Sequence, residues 1–443
     1  MLDSDRVSCV LELLKSFGHG SKIASKLIQN YFRSNKNIGS KDRKFISNCF
    51  WNIIKHRNKI NWHLTNHNLK VTFERQIILE LFFLNVDYKN DLPKIKNFFF
   101  LNNKLIKNFK DDNLQFLENL NFEKFINSEM PEYVYYELPD FLLASLKRNF
   151  KFDWKNVALS LSQVSFVDLR INTLKNKTRE EILDSLREID VPFKISKYSP
   201  IGIRLLKRFP INGNKLFKSG NIEIQGEASQ LSALLLGVKP GMQVADICAG
   251  AGGKSLVLAD IMKNKGRILS LDINQKRLKQ ARLRFKRAGV HNVETRLVDL
   301  NWSTKGLEKK FDLVLIDAPC SGIGTWSRSP GSRLYFNKKK LAELINIQSE
   351  FLSKGSTMVA PGGRLAYVTC SILPEEGVDQ IEKFKLSANR DFSEIDMSNM
   401  WNDNLSLTNS FQYPFDNGKK SITINPAIHK MDGFFISMFQ RKR

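Results

Sequence analysis

Residues 244–255 read VADICAGAGGKS, a short apolar run that ends in a cluster of glycines. Such a run is typical of a buried strand, and the glycines predict a tight turn that leads into a helix. Further buried strands are predicted at 267–272, 293–299, 311–317 and 364–370. Helical segments separate them, for example 274–288, which has its apolar residues on one face. This alternation predicts a doubly wound α/β domain with a parallel sheet, to which the apolar run at 434–439 adds a late strand.

The glycine cluster could bind a ligand in one of three ways. A phosphate-binding P-loop requires a glycine five residues before Gly253, where this chain has Cys248. A dinucleotide-binding motif that starts at Gly250 requires a glycine at the position of Ser255. Both patterns fail. The remaining interpretation is a nucleoside-binding turn without a pyrophosphate clamp, as S-adenosylmethionine requires.

Asp272, Asp299 and Asp317 end three successive predicted strands. A single aspartate at a strand end is more often a turn residue or a helix N-cap. Three in succession favour a shared site, because the carboxyl ends of parallel strands open onto one crevice. We predict that Asp272 accepts hydrogen bonds from ribose hydroxyls, that Asp299 lies at an adenine edge and that Asp317 lies near the reacting centre.

Two cysteines lie at the ends of predicted strands: Cys320 follows 311–317, and Cys370 ends 364–370. A free cysteine is usually a small buried apolar residue, which is our interpretation of Cys9 and Cys49. Cys320 and Cys370 differ because both lie beside the same predicted crevice. The sequence therefore predicts two thiols at one site, which suggests covalent catalysis on an electrophilic substrate.

Methylation of cytosine at carbon 5 would use both thiols. Carbon 5 is a poor nucleophile, but addition of a thiolate at carbon 6 turns it into an enamine carbon that can attack a sulfonium methyl group. Asp317 is placed to stabilise the ring nitrogen, and the second thiol can serve the later loss of the carbon 5 proton and of the enzyme sulfur. A free thiol is mostly protonated at neutral pH, and Lys254 with the surrounding basic residues could favour the thiolate.

The net charge of the chain indicates a polyanionic partner. Its 443 residues include 69 Lys and Arg against 45 Asp and Glu, a formal charge of +24. This excess favours nucleic acid, because each neutralised phosphate releases counterions; the alternative is a genome composition rich in lysine codons. Five cysteines without a C-x-x-C pair indicate a reducing cytoplasm. We expect no membrane association, since no stretch reaches the ~20 apolar residues of a membrane span.

The chain is long enough for several domains. Residues 1–140 predict an all-α domain, in which one helix carries an apolar stripe of Ile46, Cys49, Phe50, Ile53 and Ile54. Basic residues surround this stripe at Arg43, Lys44, Lys55, Arg57 and Lys59. They indicate either an RNA-contacting surface or a solvated lysine-rich bundle.

Residues 141–235 predict a small α+β module. Its strands are predicted at 166–171, 193–195 and 203–206. A capping-box pattern of Thr178 and Glu181 predicts the start of a helix between the first two of them. Residues 236–443 then hold the α/β domain.

Several motifs of this chain resemble those of a known family. They are Asp317-Ala318-Pro319-Cys320-Ser321-Gly322, Thr369-Cys370-Ser371, the turn from Asp246 to Lys254, and Pro374-Glu375-Glu376. They resemble the RNA 5-methylcytosine methyltransferases of the Nol/Nop/Sun family, above all its bacterial Sun type, which acts on 16S ribosomal RNA. The resemblance implies a NusB-like helical domain, a small RRM-like or ferredoxin-like module and a Rossmann-like class I methyltransferase domain.

The resemblance also implies roles for individual residues. Cys370 would be the nucleophile, and Cys320 would assist product release. S-adenosyl-L-methionine would be lined by Cys248, Ala249, Gly250, Ala251, Gly252, Gly253 and Lys254, with Asp272, Asp299 and Asp317 at its ribose, its adenine and its methyl-donor end. DNA cytosine methyltransferases instead carry their nucleophile in a Pro-Cys motif, and by that analogy Cys320 would attack.

We therefore expect a cytoplasmic, monomeric RNA (cytosine-C5)-methyltransferase that uses S-adenosylmethionine and no metal. Its substrate would be 16S ribosomal RNA that is single-stranded or locally opened, because the target base must leave its stack to admit a thiol to carbon 6. The alternative is a ribosome-assembly or RNA-binding factor in which the methyltransferase domain is only a scaffold.

Overall fold

The computed structural model describes residues 1–18, 23–91, 93–95, 118, 124–163, 165–207, 209–299, 301–388, 391–405, 413–416 and 418–443. These residues form two compact units. The helical unit consists of Met1–Ala144 and Trp326–Asn337, and the sheet unit consists of Ser145–Thr325 and Lys338–Arg443. None of the helices in these ranges combines the length and the hydropathy that crossing a bilayer requires.

The described part of the chain before residue 140 holds six helices with defined bounds, and the first five of them contribute to one apolar core. They are α1 (Asp3–Gly18), α2 (Ala24–Ser34), α3 (Ser40–Lys55), α4 (Arg57–Asn66), α5 (Phe73–Phe83) and α6 (Glu132–Tyr135). The predicted stripe on α3 is confirmed, since each of its residues from Ile46 to Ile54 is fully buried. Phe17 of α1 packs edge-on against Phe50 of that stripe, with ring centroids 6.0 Å apart.

Lys59, one of the basic residues around the stripe, is buried and does not lie at the surface. Its side chain is 9% exposed, and its Nζ lies 3.5 Å from a carboxylate oxygen of Glu137. The same carboxylate accepts hydrogen bonds from the backbone N–H groups of Asn58 and Lys59, at 2.9 and 3.0 Å. Glu137 thus supplies hydrogen-bond acceptors to the first turn of α4, where backbone N–H groups lack helical partners. Lys59 is therefore a buried ion-pair partner and does not belong to a solvated surface.

The helices from residue 143 onward lie around two sheets. They are α7 (Leu143–Phe150), α8 (Trp154–Ser160), α9 (Arg179–Arg187), α10 (Lys215–Lys218), α11 (Glu227–Leu234), α12 (Gly253–Ile261), α13 (Gln275–Ala288), α14 (Lys338–Met358), α15 (Val378–Ala388), α16 (Met397–Leu405) and α17 (Pro426–His429). Helix α9 begins with the predicted capping box, because the Thr178 hydroxyl and the Glu181 carboxylate each accept the other residue's backbone N–H.

The smaller sheet is antiparallel. Its strands are β1 (Val167–Ile171), β2 (Phe193–Ile195), β3 (Gly202–Leu205) and β4 (Ile222–Ile224), in the order β2-β3-β1-β4. Ile182, Leu183 and Leu186 of α9 are buried against this sheet. The predicted α+β module is therefore confirmed.

The larger sheet has eight strands. They are β5 (Gln243–Ile247), β6 (Arg267–Asp272), β7 (Val293–Leu297), β8 (Phe311–Asp317), β9 (Val359–Thr369), β10 (Phe392–Ile395), β11 (Ile422–Ile424) and β12 (Phe434–Arg441). The order is β10-β12-β9-β8-β5-β6-β7, with β11 beside β12. Alternate residues of β8 enter separate apolar clusters, Leu313 and Leu315 in one and Val314 and Ile316 in the other. Both faces of the sheet are therefore covered, as the doubly wound prediction requires.

The predicted parallel sheet has an antiparallel edge, whose direction the sequence did not predict. Strands β5 to β9 pair in parallel, whereas β12 runs antiparallel to β9, β10 and β11. The connection from Ile424 to Phe434 holds only the short helix α17. A parallel crossover takes a dozen or more residues, so this connection returns the chain in the opposite direction.

Candidate active site

The sheet brings the two predicted thiols together. Strands β8 and β9 are parallel neighbours, with Asp317 opposite Val368. The backbone stays paired beyond β8, since Ala318 N–H donates to the Val368 carbonyl at 2.9 Å and Gly324 N–H donates to the Cys370 carbonyl at 3.1 Å. The Sγ atoms of Cys320 and Cys370 consequently lie 3.4 Å apart, within the range of a sulfur hydrogen bond. Both residues are only partly buried.

The electrostatic surroundings of Cys320 favour its protonated form. Its pKa is raised well above the ordinary thiol value, first by the hydrogen bond to Cys370, then by burial and by the charges of Cys370 and Glu376. Two thiols this close share protons as a pair, so one of them holds a proton when the other is ionised.

The prediction that Lys254 favours a thiolate is wrong for Cys320. The Lys254 ammonium instead lies 2.6 Å from a carboxylate oxygen of Asp317, at the end of β8. Lys254 is buried, and the Asp317 side chain is 31% exposed. A buried ammonium takes the nearest carboxylate as its partner because an unpaired charge there is costly. Asp317 therefore remains at the edge of the site, with one oxygen held by Lys254.

The predicted glycine turn connects β5 to α12. Three of its residues have a positive φ: Cys248 at 66°, Gly250 at 59° and Gly252 at 76°. A Cβ on Gly252 would lie 2.5 Å from the ring of Phe285, so α13 packs directly on this glycine. A Cβ on Gly250 would meet no atom closer than 3.9 Å. The space beside Gly250 is thus open to a ligand, as the sequence predicts.

Cys248 is the one residue other than glycine with a positive φ between β5 and α12. Burial and the nearby carboxylates of Asp317 and Asp272 raise the pKa of its thiol well above the ordinary value. A thiol that stays protonated is a poor nucleophile. Cys248 therefore fits a lining position better than a reactive one.

Asp272 is held against the glycine turn. Its carboxylate accepts hydrogen bonds from the N–H groups of Gly250 and Asn274, at 2.8 and 2.7 Å. The prediction for Asp299 needs a correction, because β7 ends at Leu297, opposite the last residue of β6. Asp299 is exposed and follows the strand instead of ending it. The turn and Asp272 therefore form one cluster. Asp299 follows Val298, whose N–H donates to the Asp272 carbonyl at 3.1 Å.

The sequence analysis did not single out Asp246 within its strand. Its side chain is 1% exposed, and burial raises its pKa to about 7. One carboxylate oxygen accepts the Ser255 hydroxyl at 2.5 Å, while the other has no hydrogen-bond partner among the described residues. A buried polar atom of this kind marks the position of a missing donor. Together with the open backbone at Gly250, it fits the amino and hydroxyl donors of S-adenosylmethionine.

Two more buried polar residues lie close to the thiols, Glu376 and Gln348. In the sequence, only its resemblance to the family pointed to the segment Pro374-Glu375-Glu376. No periodicity or spacing pointed to Gln348, which lies in the middle of α14.

The order of strands, the glycine turn after β5 and the carboxylate at the end of β6 define the class of Rossmann-like methyltransferases. Residues 233–440 match the family model for the 16S rRNA methyltransferase RsmB/F, and residues 138–212 match the ferredoxin-like domain of the RsmF/B-like methyltransferases. The chain belongs to this RsmB/F family, and the predicted resemblance is confirmed.

Similar proteins support this family assignment. The probable ribosomal RNA small subunit methyltransferase B of Synechocystis sp. is 30% identical over 69% of this chain and 67% of its own length. The protein of the same name in Bacillus subtilis is 31% identical over 62% of this chain and 59% of its own length. These alignments thus span about 60% to two thirds of the two relatives. The crystal structure of PH0851, at 23% identity, has the same fold, with a TM-score of 0.77 over 99% of both chains.

Proposed function

We propose that this protein is an S-adenosylmethionine-dependent methyltransferase that forms 5-methylcytosine in 16S ribosomal RNA through a covalent cysteine–cytosine adduct. The observation that carries this proposal is the 3.4 Å separation of the Cys320 and Cys370 sulfur atoms at the ends of adjacent strands. The assignment of ribosomal RNA as the substrate rests on the family. Both relatives described above are named probable ribosomal RNA small subunit methyltransferase B.

The reaction begins with Cys370. Its thiolate adds to carbon 6 of the cytosine, a carbon–sulfur bond forms, and carbon 5 becomes nucleophilic. When bound, S-adenosylmethionine supplies the sulfonium methyl group that carbon 5 attacks. As the carbon–sulfur bond forms, the ring nitrogen takes up a proton from solvent. The Asp317 carboxylate, which Lys254 holds at the end of β8, accepts a hydrogen bond from this N–H, and the proton returns to solvent when the double bond re-forms. Carbon 5 then carries both a methyl group and its original proton.

Cys320 completes the reaction. It keeps its proton while Cys370 is a thiolate, because the hydrogen bond and the charge of Cys370 both raise its pKa. Once the Cys370 sulfur is bonded to carbon 6, these two effects end and Cys320 can release its proton to solvent. The Cys320 thiolate then accepts the carbon 5 proton, the 5,6 double bond re-forms, and the Cys370 thiolate leaves. The net products are the methylated base, S-adenosylhomocysteine and one proton, and both thiols return to their starting state.

This order of events favours Cys370 over Cys320 as the nucleophile. The alternative assignment, by analogy with a Pro-Cys motif, would require Cys320 to attack, although its pKa is raised. The thiolate is the reactive form of a cysteine, so the residue whose pKa is raised is the poorer attacking group. The raised pKa of Cys320 therefore supports the role in product release.

The RNA must present an unstacked cytosine, since neither thiol can reach carbon 6 of a base inside a helix. The net charge of +24 favours binding to such a polyanion. Both thiols must also stay reduced, which suits a cytoplasmic protein. We further propose that the protein acts as a monomer.

A methyl-transfer assay tests the proposed function. Purified protein is incubated with unmodified 16S ribosomal RNA and a methyl donor that carries tritium, and the RNA is digested to nucleosides. We expect the label in 5-methylcytidine. Label in another nucleoside would contradict the proposal. RNA binding without any methyl transfer would favour the alternative of an assembly factor with an inactive scaffold.

A further inference from the structure

Glu376 is a fully buried carboxylate next to the thiols. It ends the short 3-10 helix Pro374–Glu376, and its side chain is 0% exposed. One carboxylate oxygen accepts the N–H of Ser321 at 2.8 Å, and the other accepts the Ser321 hydroxyl. Both hydrogen bonds come from the residue that directly follows Cys320.

Gln348 of α14 holds the other side of Cys320. Its Nε2 donates to the Pro319 carbonyl at 2.9 Å and to the Glu376 carboxylate at 3.1 Å. Its Oε1 accepts a hydrogen bond from Gln380 of α15 at 3.3 Å. The backbone on both sides of Cys320 is thus tied to a buried pair of side chains, which we call the Glu376–Gln348 clamp.

The clamp places a charged group where burial is unfavourable. Burial raises the pKa of Glu376, and its hydrogen bonds to Ser321, Ser371 and Gln348 partly oppose this shift. A buried carboxylate is costly unless donors surround it. An apolar residue would fill this volume without the free-energy cost of burying a carboxylate. We therefore infer that the role of Glu376 is to bind the hydrogen-bond donors around it.

The clamp acts on one thiol more than on the other. Glu376 also binds Ser371, which follows Cys370, but Cys370 itself directly follows β9, which is paired with β12 up to Thr369 and with β8 up to Val368. Cys320 lies past the end of β8, in a segment without regular secondary structure. Its position therefore depends on the side chains that hold its neighbours.

We propose that Glu376 and Gln348 are positioning residues that hold Cys320 for the release of the methylated base. This inference rests on the proposed function. The clamp acts through Ser321 and Pro319 and does not touch the substrate. It fixes the short distance between the two sulfur atoms, so that Cys320 can reach the carbon 5 proton while Cys370 is bonded to carbon 6.

The test compares Glu376→Gln with Glu375→Gln. An amide offers one oxygen where the carboxylate offers two, so one of the two Ser321 donors loses its acceptor in Glu376→Gln. We expect normal formation of the covalent adduct but slower breakdown, with turnover reduced about 10–100-fold, the effect of a small misplacement of a catalytic group. The adduct should accumulate on a denaturing gel. Glu375 instead binds Ser145 and Arg148, at 2.6 and 3.2 Å, so its variant should turn over like wild type.

Cys320→Ser is the reference in this experiment, because it removes the release thiol itself. Accumulation in both Cys320→Ser and Glu376→Gln supports the inference. Accumulation in Cys320→Ser alone overturns the inference and leaves the proposed function intact. Accumulation in neither, under conditions where wild type turns over, contradicts the proposed role of Cys320 itself. Thermal melting checks that each variant folds; should Glu376→Gln fail to fold, Ser321→Ala removes one of the same hydrogen bonds and must also accumulate the adduct.

Discussion

Two regions at the carboxyl ends of the parallel strands are held in different ways. At the glycine turn after β5, the backbone itself forms the proposed ligand site, with positive φ angles at Cys248, Gly250 and Gly252. At the thiol end of β8 and β9, side chains from distant segments hold the reactive residue, as Glu376 and Gln348 hold the neighbours of Cys320. The first arrangement is encoded locally, and the second depends on packing.

This difference separates binding from chemistry. Changes at the glycine turn should impair the cofactor site, and a change at Gly252, which packs against α13, should also lower the stability of the sheet unit. Changes at the thiol end should impair individual reaction steps and leave cofactor binding intact. The following predictions test this separation, from the largest expected effect to the smallest.

Cys370→Ala should abolish methyl transfer, with a loss on the order of 10⁴-fold or more, because it removes the proposed nucleophile. Binding of S-adenosylmethionine, measured by calorimetry, should remain close to that of wild type. A variant that still transfers methyl groups would reject the role of Cys370. A variant that loses cofactor binding would show that the glycine turn and the thiol region do not function separately.

Gly252→Ala and Gly250→Ala form a matched pair at the glycine turn. Each places a side chain at a positive φ, which costs about 1–2 kcal/mol. Gly252→Ala adds an overlap with the Phe285 ring, for a further ~1–3 kcal/mol. Urea unfolding should therefore show Gly252→Ala as the less stable variant. Gly250→Ala should affect cofactor affinity more than stability, and equal stability of the two variants would contradict the packing of α13 on the turn.

Asp246→Asn should change the pH dependence of stability. The folded carboxyl has a pKa of about 7, against an ordinary value of 3.8. Between these values the unfolded chain loses the proton and the folded protein keeps it, so the contribution of Asp246 to stability falls as pH rises and then levels off above about pH 7. The asparagine variant lacks this loss. The unfolding free energy of Asp246→Asn minus that of wild type should therefore rise by a few kcal/mol from pH 4 to pH 8. A difference that stays constant over this range would contradict a raised pKa for the buried Asp246 carboxyl.

The sequence predicts locally encoded features well. The glycine turn, Asp272, the capping box at Thr178 and the helix α13 all follow from residue type and spacing. The mixed sheet was missed because the direction of β12 depends on the length of the connection before it, which a pattern of apolar residues does not reveal.

Long-range pairing of charged and polar side chains was not predictable either. Lys254 was expected to act on the thiols, and it pairs with Asp317 instead. Lys59 was expected near the surface, and it pairs with Glu137 in the interior. Glu376 and Gln348 belong to the same group, because their partners Ser321 and Pro319 are distant in sequence. Residue type and spacing alone contain no signal for such contacts.

The most direct test of the account is to locate the covalent bond between protein and RNA. Cys320→Ser protein is incubated with 16S ribosomal RNA and S-adenosylmethionine, the adduct is digested with protease and nuclease, and the modified peptide is identified by mass spectrometry. We predict a methylated cytidine nucleotide attached to the peptide that contains Cys370. An adduct at any other residue, or one formed through Cys320 in a Cys370→Ala protein, would contradict the assignment of the two thiols.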